Sequence, residues 1–179
     1  MQMIRLAKIK HKNNNINFYT NKKNIIQKKK KFDVIIMMFD VFSYFTQYDE
    51  IMKELSFINK ILKKDGLLIF EFWYGPSVLK YKPKNYSKKI IINNKNLIKK
   101  CKSHIDLSNS IVDIEYNFLN EEKKLFLKEN HKIRYFFYDE IKLFLKINNF
   151  SIQKISYIDF LNRKINASSK YSVVCCATK

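Results

Sequence analysis

Two continuous runs of apolar residues, separated by an amphipathic stretch, constrain the fold of this 179-residue chain more than any other feature. The first run is residues 34–39 (VIIMMF) and the second is residues 67–70 (LLIF). Because neither run alternates with polar residues, each predicts a β-strand covered on both faces, as in a parallel sheet. Apolar residues recur every three or four positions over residues 51–62, which predicts a helix between them. The unit is therefore predicted to be a right-handed strand–helix–strand crossover.

Capping residues mark the expected ends of the central helix. Thr46 is expected to cap its first turn, with Asp49 three residues later. Gly66 is expected to be the left-handed residue that ends the helix before the second strand. Gly75 and Pro76 predict a turn that closes the unit.

The rest of the chain predicts further helices and strands around this unit. Residues 1–10 favour a helix, 16–19 a short strand and 21–31 a polar connection. Alternation in residues 88–136 predicts an antiparallel meander, and residues 138–148 predict a helix capped by Asn149. We therefore expect one α/β domain in four parts: residues 1–31 with the first helix, short strand and loop, 32–75 with the core, 88–136 with the antiparallel insertion, and 137–179 with the last helix and two final strands.

Glycine is too scarce for a phosphate-cradling loop. The chain contains only Gly66 and Gly75. Such loops need several glycines close together, because only glycine lets the backbone approach the ligand and adopt positive φ freely. Neither a G-x-G-x-x-G motif nor a P-loop occurs in this sequence.

The net charge of +19 has two explanations. One is a nucleic-acid surface, as in a basic RNA-associated protein. The other is the composition of an AT-rich genome, because the excess is nearly all lysine and arginine occurs only at Arg5, Arg134 and Arg163. Since base-reading sites favour arginine, we favour the compositional explanation and expect no specific nucleic-acid partner.

The cysteine pattern favours a reduced, cytoplasmic setting. Cys101, Cys175 and Cys176 form no C-x-x-C motif, so neither a zinc site nor a redox motif is indicated. No apolar stretch approaches the 18 residues of a membrane helix, and we expect neither a metal nor a membrane partner.

The core sequence FDVIIMMFDVFSYFTQYDEIMKELSFINKILKKDGLLIFEFWYGPSVL resembles the fourth strand, next helix and fifth strand of class I S-adenosylmethionine-dependent methyltransferases. The segment ENHKIRYFFYDEIKLFLKINNFSI is similar to the part of small-molecule methyltransferases that leaves an inserted sheet and enters the last helix and strand. The earlier segments MIRLAKIK, NINFY and NKKNI look like the helix, third strand and acidic loop that precede this core. The resemblance implies a Rossmann-like sheet with an antiparallel insertion.

The family's first strand, its glycine-rich loop and the acidic residue ending its second strand have no counterpart here. The sheet is therefore expected to be incomplete, an N-terminally truncated version of the family's domain. The strand at Val34 would then be an unpaired apolar edge. We expect the chain either to be completed by another polypeptide or to be a truncated gene product.

The resemblance implies which residues meet S-adenosylmethionine. Met38 and Phe39 would line the cofactor, and Asp40 ends the same strand at the edge where ligands bind in such sheets. Asn21 stands where the family usually has an aspartate that contacts the adenine amine. Asp40 has the alternative role of capping the next segment.

Candidate acceptor and catalytic residues come from the second strand and from the insertion. By resemblance, Trp73 and Tyr74 would face the acceptor, with packing as an equal alternative for each ring. Glu129 and His131 are two positions apart in a predicted strand, so they share a face about 7 Å apart. His131 is the best candidate base, although a lone histidine is more often a packing residue. Arg134, a further candidate for substrate binding, falls on the opposite face unless a bulge intervenes.

The sequence thus predicts methyl transfer from S-adenosylmethionine to a small-molecule acceptor. By analogy alone, the insertion and the W-Y-G-P segment point to acceptors that include sugar amines. A non-catalytic remnant or partner subunit is the main alternative, and a basic RNA-associated protein is a third.

Overall fold

The structure, a computed structural model, describes residues 2–11, 15–27, 30–92, 94–157 and 171–179. Five helices and eight strands follow one another in the described residues, with a 3₁₀ turn after β1. In chain order they are α1 (Gln2–Lys10), α2 (Lys23–Gln27), β1 (Phe32–Met37), the 3₁₀ turn (Val41–Tyr44), α3 (Tyr48–Ile61), β2 (Leu62–Tyr74), α4 (Gly75–Tyr81), β3 (Tyr86–Ile92), β4 (Lys95–Asp106), β5 (Ile111–Leu119), β6 (Leu125–Phe136), α5 (Tyr138–Ile147), β7 (Ser151–Tyr157) and β8 (Ser172–Thr178).

β2 is the centre of one continuous sheet whose order is β3-β4-β5-β6-β2-β8-β7, with β1 also paired to β2. β1 and β2 run parallel, and Ile35 and Ile36 lie opposite Leu68 and Ile69. α3 connects the two strands, so the predicted parallel strand–helix–strand unit is confirmed. β8 and β7 continue the sheet on the other side of β2 in antiparallel order.

The main core lies between one face of this sheet and the helices α3 and α5. The apolar stripe of α3 is fully buried there, and α5 packs beside it. The members with less than 3% exposed surface include Ile51, Leu55, Ile58, Leu68, Phe70, Phe72, Ile141 and Leu145. A separate cluster around Val112, Ile133 and Tyr135 of the meander packs against Trp73 and Val78.

The antiparallel insertion is a four-stranded meander, β3 to β6, as predicted. Its last strand, β6, reaches the main sheet by pairing parallel with the end of β2, where Tyr135 lies opposite Trp73. This junction places one face of the meander over the carboxyl ends of β1 and β2.

The predicted cap at Gly66 is wrong. α3 ends at Ile61, the chain continues directly into β2, and the left-handed residue is Asp65, with φ of 60°. Gly66 is required for space instead, because a Cβ there would lie 2.7 Å from Cγ of Leu62 and 3.1 Å from the carbonyl oxygen of Asp33. The glycine lets β1 approach the start of β2.

Four other local predictions need correction. α3 is capped by Gln47 rather than Thr46, and the Glu50 carboxylate accepts the Gln47 backbone N–H at 3.2 Å. Gly75 and Pro76 open the short helix α4 instead of a turn. Residues 16–19 form no strand, since no neighbour pairs with them, and the connection at 21–31 contains the short helix α2. The expected strand at 151–160 is β7, and residues 158–160 lie outside the described part of the chain.

No helix among the described residues is both long enough and apolar enough to cross a membrane.

Candidate functional site

The turn that follows β1 is held in an unusual conformation. Phe39 and Asp40 have φ values of 61° and 57°, the left-handed region that side chains rarely adopt. The Glu71 carboxylate, from the carboxyl end of β2, accepts the backbone N–H of Phe39 at 2.6 Å. The Phe39 side chain is 89% exposed. Glu71 therefore stabilises a turn that presents an aromatic ring to solvent at the end of the sheet.

Two carboxyl groups lie close together beneath this turn. The Ser172 hydroxyl donates to Oδ1 of Asp40 at 2.7 Å. Burial raises the pKa of Asp40, and this hydroxyl partly offsets the effect. Burial, followed by repulsion from the Asp40 carboxylate, raises the pKa of Glu71, while the backbone N–H groups of Phe39 and Asp40 oppose the shift. The end of the sheet is thus an acidic, partly desolvated site.

Trp73 and Tyr74 lie on opposite faces at the end of β2. The indole of Trp73 is buried in the meander cluster, with its ring centroid 4.8 Å from that of Tyr171. Its backbone N–H donates to Oγ of Ser43 at 2.8 Å. Tyr74 is half-buried against the main core. Burial of the Trp73 ring favours a packing role for it over contact with an acceptor.

His131 meets the 3₁₀ turn that follows β1. The Tyr44 hydroxyl and Nδ1 of His131 are 3.0 Å apart, and Nε2 of His131 is 3.8 Å from the Glu129 carboxylate. The ring of Tyr116 packs edge-on against His131 at a centroid distance of 5.5 Å. The expected shared face of Glu129 and His131 is therefore present, and Tyr44 joins them from the 3₁₀ turn.

Burial and nearby charges shift the pKa values of Tyr44 and Lys99. Burial first, then the negative charges of Asp40 and Glu129, raises the pKa of Tyr44, which stays protonated near neutral pH. Lys99 lies with Nζ 3.6 Å from the ring centroid of Tyr116, and burial lowers its pKa. Aromatic rings, a carboxylate and an ammonium group thus line the face that looks onto the carboxyl ends of β1 and β2.

Arg134 lies away from Tyr44, His131 and Glu129. Its side chain is on the opposite face of β6, where Nη2 donates to the Glu140 carboxylate at 2.7 Å and Nη1 donates to the Thr46 carbonyl at 2.9 Å. The guanidinium also stacks over the Tyr48 ring at 4.3 Å. The residue is 5% exposed. These contacts favour a structural role for Arg134 rather than substrate binding, because both terminal nitrogens already bind groups of the protein and Nε is buried.

The predicted cofactor residues do not all meet. Met38 is half-buried and leads directly into the turn of Phe39 and Asp40. Asn21 lies at the start of α2, where its side-chain oxygen accepts the backbone N–H of Lys23 at 2.9 Å. That bond gives Asn21 a helix-capping role.

Sequence reasoning missed Glu71 and Tyr44. Glu71 had a visible signal, since it is the one charged residue in the apolar run LLIFEFWY. Tyr44 had none, because its partner His131 is 87 positions away and the pairing depends on how the meander folds back.

The carboxyl ends of β1 and β2 offer one side of a ligand site. An exposed aromatic ring and an acidic group lie at the carboxyl ends of parallel strands, where such sheets bind nucleosides. Both glycines serve close packing instead, since Gly66 packs against Leu62 and Gly75 packs against Phe137. Within the described ranges, therefore, no glycine-rich loop faces this turn.

Comparison of the fold with solved structures gives consistent neighbours. One is an S-adenosylmethionine-dependent methyltransferase from Clostridium acetobutylicum, with a TM-score of 0.65 and 17% identity over 90% of this chain and 61% of that chain. Another is the CcbJ methyltransferase from Streptomyces caelestis, with a TM-score of 0.65 and 14% identity over 83% and 61% of the two chains. An amino pentose methyltransferase from Micromonospora echinaspora matches with a TM-score of 0.60 and 12% identity over 83% and 58%.

No protein-family model and no curated protein sequence matches the chain. The chain spans about three fifths of the length of the structures it resembles, at 61%, 61% and 58%. At these low identities the likeness concerns the fold alone. The strand order around β2, the parallel unit and these neighbours agree: the chain has the class I methyltransferase fold, with an antiparallel meander inserted after β2.

Proposed function

We propose that this chain forms the acceptor-binding portion of a methyltransferase that uses S-adenosylmethionine and acts on a small molecule. The observation that supports the proposal best is the array of Tyr44, His131 and Glu129 beside the acidic turn at the ends of β1 and β2. Structural neighbours named as amino pentose and sugar N-methyltransferases support an acceptor with an amine or hydroxyl group.

The cofactor would lie against Met38, Phe39 and Asp40. When bound, S-adenosylmethionine supplies an electrophilic methyl group to a nucleophile held in line with it. The exposed ring of Phe39 offers a stacking surface, and Asp40 offers a hydrogen-bond acceptor to sugar hydroxyls. The remaining contacts would come from a segment outside these residues, which supplies the glycine-rich loop.

The acceptor's proton would leave through the histidine array. An acceptor hydroxyl or ammonium donates its proton to Tyr44, whose hydroxyl passes its own proton to Nδ1 of His131. The Glu129 carboxylate then stabilises the imidazolium. The raised pKa of Tyr44 suits this role, because the hydroxyl stays protonated until the transfer.

A non-catalytic partner subunit is the second candidate. It is favoured by the scarcity of glycine, since Gly66 and Gly75 both serve close packing. In that case the same fold would bind an active methyltransferase without holding the cofactor.

Ultraviolet crosslinking with tritium-labelled S-adenosylmethionine tests the cofactor site even at weak affinity. We expect label on the peptide that contains Met38, Phe39 and Asp40, and we expect excess S-adenosylhomocysteine to compete with it. Label that is absent, not competed, or located on the meander's outer strands would refute the proposed site.

Transfer to amine and amino-sugar acceptors tests the proton path. We expect Tyr44→Phe and His131→Ala each to reduce the rate by about 100-fold or more, in the range of a lost general base. His104→Ala is the matched control, because His104 is an exposed histidine on the opposite face of the same meander. Equal loss in all three variants would show that the array has no special role.

A further inference from the structure

The inner face of the meander, defined as the face that carries Tyr116, Glu129 and His131, also carries two lysines. Lys88 of β3 lies directly opposite Lys99 of β4. The Lys99 ammonium contacts the ring of Tyr116, which puts both lysines on this face. Because like charges directly opposite each other on neighbouring strands are destabilising, this pair would be stabilised by a bound anion.

Lys99 has no counterion within the described ranges. It is half-buried, and its Nζ lies 3.6 Å from the ring centroid of Tyr116 and 5.5 Å from that of Phe118. No described carboxylate lies within ion-pair distance of this nitrogen. Burial, followed by repulsion from Lys88, lowers the pKa of Lys99. A partly desolvated ammonium group without a counterion is unfavourable, so an anion from a ligand would fit here.

The lysine-rich composition does not by itself explain this arrangement. On the outer face of the meander, Lys128 pairs with the Glu115 carboxylate at 2.5 Å. Lys100 and Lys102 of β4 point to that outer face and are exposed to water. Lys99 differs from these lysines because it has neither a carboxylate partner nor full hydration.

The inner face therefore has a positive end and a negative end. β5 lies between β4 and β6, so the Tyr116 ring separates Lys99 from His131. The His131 ring lies 5.5 Å from the Tyr116 ring, on the side of the Glu129 carboxylate. A hydrogen bond to the Tyr86 hydroxyl holds the Tyr116 phenol in place. The two charged ends are thus separated by about the width of one aromatic ring.

We propose that the methyl acceptor is a small molecule with an amine at Tyr44 and His131 and a carboxylate bound by Lys99. The position of the amine rests on the proposed function, whereas the binding of a carboxylate by Lys99 does not. Opposite charges at the two ends would orient the acceptor as well as hold it. A carboxylate suits this site better than a phosphate, because phosphates are typically bound by helix N-termini or by the fork of an arginine. Arg134 of β6 points to the other face and is engaged there.

Three amino sugars that differ only at C6 test the proposal. They are 2-amino-2-deoxyglucuronate, with a carboxylate, glucosamine, with a neutral hydroxymethyl group, and glucosamine 6-phosphate. Binding to the full chain is measured by calorimetry in about 0.15 M salt, which weakens the general attraction of a basic protein for anions. We expect the carboxylate sugar to bind about tenfold more tightly than glucosamine, and Lys99→Gln to abolish this preference.

Lys100→Gln is the matched control, because it removes the same charge from the neighbouring position on the outer face. It should leave the preference unchanged, and Lys99→Arg should retain most of it. Nuclear magnetic resonance of the unmodified chain gives a second measurement that does not depend on any variant. The carboxylate sugar should shift the Cε–Hε resonance of Lys99 and leave that of Lys100 in place.

Several results would overturn the proposal. These are a carboxylate sugar that binds no better than glucosamine, a phosphate sugar that binds most tightly, and a preference that survives Lys99→Gln or is lost equally in Lys100→Gln. An unshifted Lys99 resonance would do the same.

Cofactor crosslinking separates this inference from the proposed function. A chain that prefers the carboxylate sugar through Lys99 but takes no label from S-adenosylmethionine would keep the anion site and refute the proposed function. A chain that is labelled at the turn after β1 but binds the carboxylate sugar and glucosamine equally would do the reverse.

Discussion

Replacing Arg134 by leucine tests whether this residue stabilises the fold or binds substrate. The substitution keeps an apolar side chain of similar length and removes the charge. In the structure it leaves the Glu140 carboxylate without its 2.7 Å partner and the Thr46 carbonyl without its donor. The stacking of the guanidinium over Tyr48 is lost as well.

The expected loss of stability follows from burial of both partners. The Arg134 and Glu140 side chains are 6% and 19% exposed, so solvent screens the pair only weakly. Removing one partner of a buried pair typically costs about 3–5 kcal/mol, because the other charge stays uncompensated. Since Glu140 keeps some contact with water, we expect about 3 kcal/mol for Arg134→Leu.

Equilibrium unfolding in urea measures this change. With a slope of about 2 kcal/mol per molar urea, the midpoint should fall by about 1.5 M. Lys132→Ala is the control, because Lys132 is on the same face of β6 but is exposed and 3.8 Å from Asp113. Its effect should stay below about 1 kcal/mol.

A double substitution of Arg134 and Glu140 to leucine sharpens the interpretation. Without the second charge no buried charge is left unpaired, so the double variant should be more stable than Arg134→Leu alone. If Arg134→Leu shifts the midpoint no further than Lys132→Ala, the structural role is wrong, and the original prediction of substrate binding regains support.

Three further predictions follow from local contacts. Gly66→Ala should cost about 1–3 kcal/mol in urea unfolding, because its Cβ meets backbone as well as a leucine side chain. Gly75→Ala should cost less, since it meets only an aromatic side chain that can turn away. Because the pKa of Glu71 is raised above its ordinary 4.5, folded protein holds this proton more tightly than unfolded protein. Stability should therefore fall as pH rises from about 4.5 towards the raised pKa, and Glu71→Gln should flatten that slope. Burial, with the neighbouring Cys176 thiol second, raises the pKa of Cys175 to about 12, so at pH 8 iodoacetamide should modify the more accessible Cys176 first and Cys175 only after unfolding.

The order of strands and helices was predictable from local pattern. The runs at residues 34–39 and 67–70 are long and flank a clear helical stripe, so their parallel pairing follows from chirality and length. In the meander, likewise, the alternation of polar and apolar residues indicates which side chains share a face of the sheet. Such patterns depend on neighbours within a few positions, which the sequence contains directly.

Whether a strand is buried on both faces was less predictable, because this depends on segments far away in the sequence or on other chains. The continuous apolar run at β1 predicted burial on both faces, yet Val34 and Ile36 are exposed and only the face of Ile35 is covered. The apolar run predicts that both faces of β1 are covered, and the described residues cover one of them. For the same reason the left-handed residue at Asp65 was not anticipated, since Gly66 satisfies a contact with β1 rather than a helix cap.

The candidate site depends on the register of β6. The same alignment of this strand places both Arg134 and the proposed base, His131. Alternate residues of β6 face opposite sides, so a shift of one residue would turn His131 away from Tyr44 and bring Lys132 towards it. Arg134 opposes this slip, because its guanidinium would lose the bonds to Glu140 and to the Thr46 carbonyl on the far side of the strand. The loss of stability in Arg134→Leu should therefore be accompanied by loss of the contact between Tyr44 and His131, detectable as a change in the His131 ring resonances. A destabilised variant with unchanged resonances would show that the pairing of β5 and β6 fixes the register without Arg134.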